Sequence, residues 1–186
     1  FCLGQAYFFS KNYDKAKEAL QKSINFSLKV GLFPINIGQF HFYQFYTLGQ
    51  CYLEIGDFSS AKEMFLKTLT KDNNVYKSYQ ALALISLREG NFKEAIEYYR
   101  KVLESEKGSD QDYANLGLAY RKLGLFKEAE GALKIALEIN SNRIEALINL
   151  GYLYYENRDY LLAEQYFKRA LNLSPNLKDT RLILSD

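Results

Sequence analysis

The stretch LGQCYLEIGDFSSA, residues 48–61, recurs along the chain with small changes. The four related stretches are LGQAYFFSKNYDKA at 3–16, LALISLREGNFKEA at 82–95, LGLAYRKLGLFKEA at 116–129 and LGYLYYENRDYLLA at 150–163. The alanines that end the five stretches are separated by 45, 34, 34 and 34 residues. A fixed step near 34 residues indicates a repeat protein, in which each repeat is one supersecondary element.

Each repeat contains two runs of apolar residues with the period of an amphipathic helix. In the fourth repeat the first run includes Leu116, Tyr120 and Leu123, and the second begins with Phe126 and Ala129. This spacing predicts two helices in each repeat. A glycine stands between the runs in three repeats, at Gly56, Gly90 and Gly124. Because a helix often ends in a left-handed residue that glycine adopts easily, these positions predict tight turns.

Two further kinds of recurring position support a pair of helices in each repeat. The turn is followed by a polar residue that can cap the N-terminus of the second helix, namely Asp57, Asn91 or Asp159. Inside the first helices lie Gly4, Gly49, Gly117 and Gly151. A glycine within a helix costs roughly 0.5–1 kcal/mol relative to alanine, so we expect the two helices of a repeat to cross closely there. The second helices contribute Ala61, Ala95, Ala129 and Ala163 to this crossing.

These positions together resemble the tetratricopeptide repeat. In the last repeat the matching residues are Leu150, Gly151, Tyr154, Ala163, Ala170 and Pro175. The resemblance implies an all-α fold, a right-handed superhelical α-solenoid of antiparallel helix pairs whose first helices build the concave wall. The repeats depart from the pattern at Ala83 and Ser86, and Lys11 and Arg158 replace the turn glycine. We expect looser local packing at these positions and no change of fold.

We predict one array over residues 1–186. A truncated first repeat reaches about residue 30, and four repeats follow at 42–75, 76–109, 110–143 and 144–177. The long first step contains an insertion at 31–41, which we expect to lengthen both flanking helices around a turn near Gly31 to Pro34. Residues 178–186 are expected to begin a partial capping helix. The first repeat starts only two residues after Phe1, so we also expect the natural protein to extend upstream.

Composition narrows the range of partners. The 186 residues are 48% hydrophobic and carry a formal net charge of +2. Without a strong charge, neither nucleic acid nor an anionic membrane is the expected partner. No apolar run approaches the roughly 20 residues that span a bilayer. The two cysteines do not form a disulfide framework, which slightly favours a reducing compartment such as the cytoplasm.

The sequence offers no constellation for catalysis. The single histidine, His41, lies among aromatic residues without a partner set, and Cys2 and Cys51 lack the spacing of metal ligands. No glycine-rich phosphate loop occurs, because each glycine of the repeats has a turn or packing role. We therefore expect no enzymatic activity, no cofactor and no metal.

One stripe of residues remains on each first helix after the packing positions are removed. Its members share a helix face by period, and the stripe is apolar for a solvated surface. The predicted peptide-binding residues lie on this stripe or directly beside it and are called the stripe residues below; they are Tyr43, Tyr46, Gln50, Lys77, Gln80, Leu84, Arg88, Asn115, Leu118, Arg121, Lys122, Asn149, Tyr152 and Tyr155.

The leading hypothesis is a protein-interaction scaffold that holds a peptide or helix of another protein in the concave groove. Tyrosine and arginine are frequent energetic anchors of interfaces, and the basic side chains of the two central repeats favour a partner with some acidic character. One alternative is the regulatory or targeting domain of a larger enzyme. The other is an RNA-binding helical repeat, against which the near-neutral charge and the 34-residue step both count.

Overall fold

The computed structural model describes residues 1–30, 37–69 and 75–177, with side chains outside 27–40. These residues form ten α-helices and no strand. In chain order the helices are α1 (Cys2–Phe9), α2 (Tyr13–Val30), α3 (Ile37–Glu54), α4 (Phe58–Lys67), α5 (Val75–Arg88), α6 (Phe92–Glu104), α7 (Asp110–Lys122), α8 (Phe126–Ile139), α9 (Ile144–Glu156) and α10 (Tyr160–Leu173). The chain folds into two compact units, Phe1–Ile85 and Ser86–Asp186.

In the first unit, helices that follow each other in the chain pack in pairs. α1 packs on α2 and α3 packs on α4, while α2 contacts α3 and α1 contacts α3. The core between them is built from Ala16, Leu20, Ile24, Leu48, Cys51 and Met64. These residues come from all three of α2, α3 and α4, so the first and second repeats share one core.

The second unit repeats this arrangement. α7 packs on α8 and α9 packs on α10, and the successive first helices α7 and α9 also contact each other. Its largest fully buried side chains are Tyr99, Leu133, Leu147, Leu150, Leu153 and Phe167.

The predicted turns between the two helices of a repeat are confirmed. Gly56, Gly90 and Gly124 have φ of +81°, +78° and +73°. Lys11 and Arg158 adopt the same left-handed conformation, with φ of +59° and +63°, although a side chain there costs roughly 1–2 kcal/mol. The residue after each of them donates a backbone hydrogen bond to the preceding helix, at 2.9 Å in both cases. The helix-ending hydrogen bonds therefore set the turn even where glycine is missing.

The N-cap predictions are confirmed in part. The carboxylates of Asp57 and Asp159 accept hydrogen bonds from the backbone N–H groups of Ser60 and Leu162. Asn91 occupies the N-cap position of α6, but its side chain makes no capping bond. Its amide donates to Glu89 instead, at 3.2 Å.

Close helix crossing at the glycines of the first helices is confirmed. A Cβ atom placed on Gly4, Gly49, Gly117 or Gly151 would approach a side chain of the second helix to 2.6, 2.9, 2.5 or 2.4 Å. The residues approached are Leu20, Phe65, Leu133 and Phe167. The expected alanines are buried in the second helices, but the side chain that fills the space at the glycine is a large one from the next turn.

The two helices that flank the predicted insertion are long. α2 and α3 have 18 residues each, whereas α6 to α10 have 13 or 14. The expected turn near Gly31 to Pro34 lies outside the described residues, and so does the expected capping helix at 178–186.

A polar cluster fixes the start of α7 to the turn before α9. Nε of Arg143 donates to Oδ2 of Asp110 at 2.7 Å, and Nδ2 of Asn140 donates to the same oxygen at 2.8 Å. Burial raises the pKa of Asp110, but the hydrogen bonds from Asn140 and Arg143 and the arginine charge outweigh it, so the pKa is lowered overall. The ionised carboxylate is therefore the form that stabilises the fold.

We predict that Asp110→Asn lowers the free energy of unfolding by about 1–2 kcal/mol at neutral pH, the usual scale for hydrogen bonds to a charged group. Because the folded pKa is depressed, this contribution is complete above the unfolded pKa of about 3.9 and is lost as the pH falls through the folded pKa. Urea unfolding of the wild type and the variant at pH 7 and pH 3 measures this contribution to the free energy of unfolding. Asp14→Asn is the control, because Asp14 pairs with Lys17 while 91% exposed. An Asp110→Asn deficit that persists unchanged at pH 3 would contradict the prediction.

Candidate functional site

In the second unit, α7 and α9 carry seven of the predicted binding residues on neighbouring helices. They are Asn115, Leu118, Arg121 and Lys122 on α7, and Asn149, Tyr152 and Tyr155 on α9. Lys122 and Tyr155 are exposed, Asn115, Leu118 and Tyr152 are half-buried, and Arg121 and Asn149 are buried. Since α7 and α9 contact each other, the two stripes form one surface within this unit.

Arg121 differs from the sequence expectation of an open cationic side chain. It is only 8% exposed. Its Nη1 donates to Oε1 of Glu156 at 2.5 Å, its Nη2 donates to Oδ1 of Asn149 at 3.3 Å, and its guanidinium lies 5.1 Å from the ring centre of Tyr152. Arg121 therefore ties α7 to α9, and its charge is already balanced by a carboxylate of the protein.

Glu156 was not among the predicted binding residues. It lies 35 residues beyond Arg121, one more than the repeat step, because its equivalent in the fourth repeat is Lys122. A search for opposite charges on neighbouring first helices would have found this pair only if it also allowed a shift of one residue from the repeat step.

The tyrosines of α9 differ in how much of the ring is available. Tyr152 lies between Arg121 and Phe167, whose ring it meets edge to face at 5.3 Å. Tyr155 packs edge to face on Tyr160 at 5.5 Å and stays 48% exposed. Tyr155 is therefore the aromatic side chain of this surface that a partner can cover most fully, while Tyr152 mainly holds the surface together.

Side-chain amides occupy the first half of the surface. Nε2 of Gln111 donates to Oδ1 of Asn115 at 3.0 Å, and Oε1 of Gln111 accepts from Arg143 at 2.9 Å. Nδ2 of Asn149 donates to the backbone oxygen of Glu145 at 2.8 Å. These bonds fix the orientation of the amides before any partner binds.

The first unit carries the other part of the stripe. On α3, Tyr43 is 38% exposed and Gln50 is half-buried. Tyr46 stacks on Phe42 at 5.5 Å and meets Phe65 edge to face at 5.5 Å, and burial, with a smaller effect of a neighbouring tyrosine, raises its pKa.

α5 carries the remaining predicted residues. Lys77, Gln80 and Leu84 are half-buried, and Arg88 is exposed at the end of the helix.

The described residues contain no cluster of three or more His, Cys, Asp or Glu side chains that could hold a metal ion. His41 packs edge to face against Phe45 at 6.3 Å. Cys51 is buried, which raises the pKa of its thiol to about 11, and Cys2 is exposed. Among the described helices, none has the length and apolar character to cross a bilayer.

Comparison with known families matches two models of the tetratricopeptide repeat. One matches residues 114–177, and the other matches residues 3–29, 45–71 and 76–108. The chain belongs to the tetratricopeptide repeat family. The family confirms the interpretation of the 34-residue step, and the all-helical structure agrees with it.

The chain is also similar in fold to several solved structures. A crystal structure of MamA superposes with a TM-score of 0.79 at 22% identity, covering 95% of this chain and 97% of that one. MamA from Desulfovibrio magneticus RS-1 gives 0.78 at 18% identity, with 94% and 92% covered. YrrB, a TPR protein with an unusual peptide-binding site, gives 0.77 at 15% identity, with 98% and 89% covered. At these identities the likeness concerns the fold, and no curated protein sequence matches significantly.

Proposed function

We propose that this tetratricopeptide repeat chain is a protein-interaction scaffold that binds a segment of a partner protein along the first helices of its repeats and carries out no reaction on it. Family membership supports the general role in protein interaction. YrrB, whose fold is similar, has a peptide-binding site, which also favours this role. The position of the site in this chain rests on its own residues.

The exposed ring of Tyr155 is the observation that carries the proposal. It shares the surface of α7 and α9 with Tyr152 and the half-buried Leu118, and the amides and guanidinium of this surface are already held in place. A rigid surface loses little conformational entropy when a partner binds, which leaves more of the contact energy for affinity. Aromatic side chains in such places are frequent hot spots.

We propose a partner segment with apolar anchors and some acidic character. On the surface of α7 and α9 the positive charge available to it comes from exposed Lys122, because Glu156 neutralises Arg121. Exposed Glu145 lies on the same helix face of α9. Apolar contacts therefore supply most of the affinity, and charge adds orientation and association rate.

A peptide-display selection on the intact chain tests this function. The affinity of a selected peptide is then compared among the wild type, Tyr155→Ala and Lys101→Glu, with melting temperatures as a check on folding. Lys101 lies on a second helix, α6, and its ion pair with Glu104 is exposed, so it is a matched control. We expect Tyr155→Ala to cost about 1–2 kcal/mol of binding and Lys101→Glu to leave binding nearly unchanged. The reverse order would place the binding surface on the second helices.

Tyr155 is a better probe than Tyr46 or Tyr152. The rings of Tyr46 and Tyr152 pack on Phe65 and Phe167, so their truncation would change stability together with affinity.

A further inference from the structure

A cavity of about 300 Å³ opens in the first unit between α2, α3 and α4. Phe45, Leu48 and Tyr52 of α3 line it. Their spacing places them on one face of α3, roughly opposite the face that carries Tyr43 and Tyr46. The cavity is therefore separate from the stripe.

The corresponding place in the last repeat is filled by a ring. There Tyr154, the equivalent of Tyr52, stacks on Tyr166 with 5.5 Å between ring centres and 8° between planes. The residue three repeats before Tyr166 is Met64, which lines the cavity. Methionine in place of tyrosine leaves part of this space open.

On the α2 side of the cavity, too, the side chain is smaller than the one at the equivalent position of a later repeat. Arg100 of the third repeat covers Tyr120 of the fourth, donating from Nη2 to the tyrosine hydroxyl at 3.1 Å. Arg100 stands five residues after the packing alanine of its repeat, and the equivalent residue of the first repeat is Gln21. Gln21 reaches the hydroxyl of Tyr52 at 3.0 Å but is shorter than arginine. Met64 and Gln21 are thus smaller than Tyr166 and Arg100, and both line the cavity.

The lining combines an apolar floor with a cation at the rim. Ile24, Leu48 and Met64 are 7%, 2% and 9% exposed. The ammonium of Lys67 lies 5.8 Å from the ring centre of Phe45, and Lys67 also lines the cavity. An apolar group therefore fits inside, with a negative charge favoured beside Lys67.

Lys67 can exchange its present partner at little cost. It pairs with Glu63 at 2.6 Å, but the two side chains are 46% and 62% exposed. Exposed pairs of this kind contribute little to stability, because water and salt screen them. Lys17, which pairs with Asp14 at 3.1 Å, lies 5.7 Å from the ring centre of Tyr52, another lining residue.

We propose that this cavity binds a bulky apolar side chain of a partner protein, of phenylalanine or leucine type, followed by an acidic residue whose carboxylate meets Lys67. The volume is at the lower end of small-molecule sites, which span roughly 300–1,000 Å³, and suits one side chain. The flexible thioether of Met64 adapts to such a group and makes favourable contacts with aromatic rings.

Two blocked dipeptides test the proposal on the intact chain: N-acetyl-phenylalanyl-aspartate amide and its asparagine analogue, which differ in one charge. Methyl NMR signals of Ile24 and Met64 report occupancy. We expect both signals to shift with a Kd on the order of millimolar, and the aspartate peptide to bind about threefold more tightly. Lys67→Gln should remove this difference, while Lys101→Gln, at the equivalent position of α6 in the next repeat, should retain it.

A second variant tests the cavity itself. Met64→Phe restores a ring at the place of Tyr166 and should abolish the Ile24 shift while the melting temperature stays near that of the wild type. Equal affinity for the two dipeptides, or shifts confined to other parts of the chain, would overturn the proposal. Because the cavity contains none of the stripe residues, such a result would leave the proposed function standing.

Discussion

Replacing Gly151 by alanine is expected to lower the free energy of unfolding by up to about 2 kcal/mol, because overpacking a core costs about 1–3 kcal/mol and the better helix propensity of alanine offsets only part of it. The added Cβ would lie 2.4 Å from Cε1 and 2.6 Å from Cδ1 of Phe167. Phe167 is 1% exposed, so its ring has little room to move away. The gain in helix propensity, about 0.8–1.0 kcal/mol, is smaller than the upper part of this cost.

Gly131→Ala is the matched control, because Gly131 also lies within a helix, α8, and a Cβ there meets no atom within 4 Å. This substitution should stabilise the protein by about 0.5–1 kcal/mol. Urea unfolding of both variants measures whether each substitution lowers or raises the free energy of unfolding. A stabilising Gly151→Ala would contradict close helix crossing.

The second large effect concerns Glu156. Glu156→Ala leaves the Arg121 guanidinium, whose side chain is 7% exposed, without its carboxylate. Loss of one partner from a fully buried pair costs about 3–5 kcal/mol. Glu156 is 39% exposed, so water can replace part of its effect, and we expect a loss of about 1–3 kcal/mol.

Arg121→Met should be the milder change, although it removes the buried member of the pair. Methionine packs against the Tyr152 ring, and Glu156 is exposed enough to stay hydrated. Nε of Arg121 is also buried without an acceptor in the described part of the chain, so the substitution removes an unsatisfied donor. Thermal and urea unfolding compare the variants. If Arg121→Met were the more damaging, the guanidinium would stabilise the fold through contacts other than the ion pair.

The helix pairs were predictable because each is specified by a few positions that recur. The step between Ala61, Ala95 and Ala129 sets the repeat, and the glycines mark turns and crossings. At Lys11 and Arg158 the sequence lacks the turn glycine, yet the backbone reaches the same left-handed conformation. Local propensity is overridden there by hydrogen bonds that end the preceding helix.

The burial and pairing of the side chains in the candidate site were harder to predict. Helical period places Arg121 on the same face as Leu118, but it does not show what reaches that face from the next repeat. Glu156 and Tyr152 do so, and they turn an expected open cation into a buried tie between α7 and α9. The cavity beside Met64 was missed for a similar reason, since it depends on comparing side-chain sizes at positions several repeats apart.

The most direct test of the central proposal is an NMR titration of the chain with a peptide obtained by display selection. Following the signals of the second unit, we expect the largest shifts at Leu118, Tyr152 and Tyr155 of α7 and α9. The signals of Lys101 on α6 and Ile135 on α8 should change little. Largest shifts on α6 and α8, with the α7 and α9 signals unchanged, would contradict binding along the first helices.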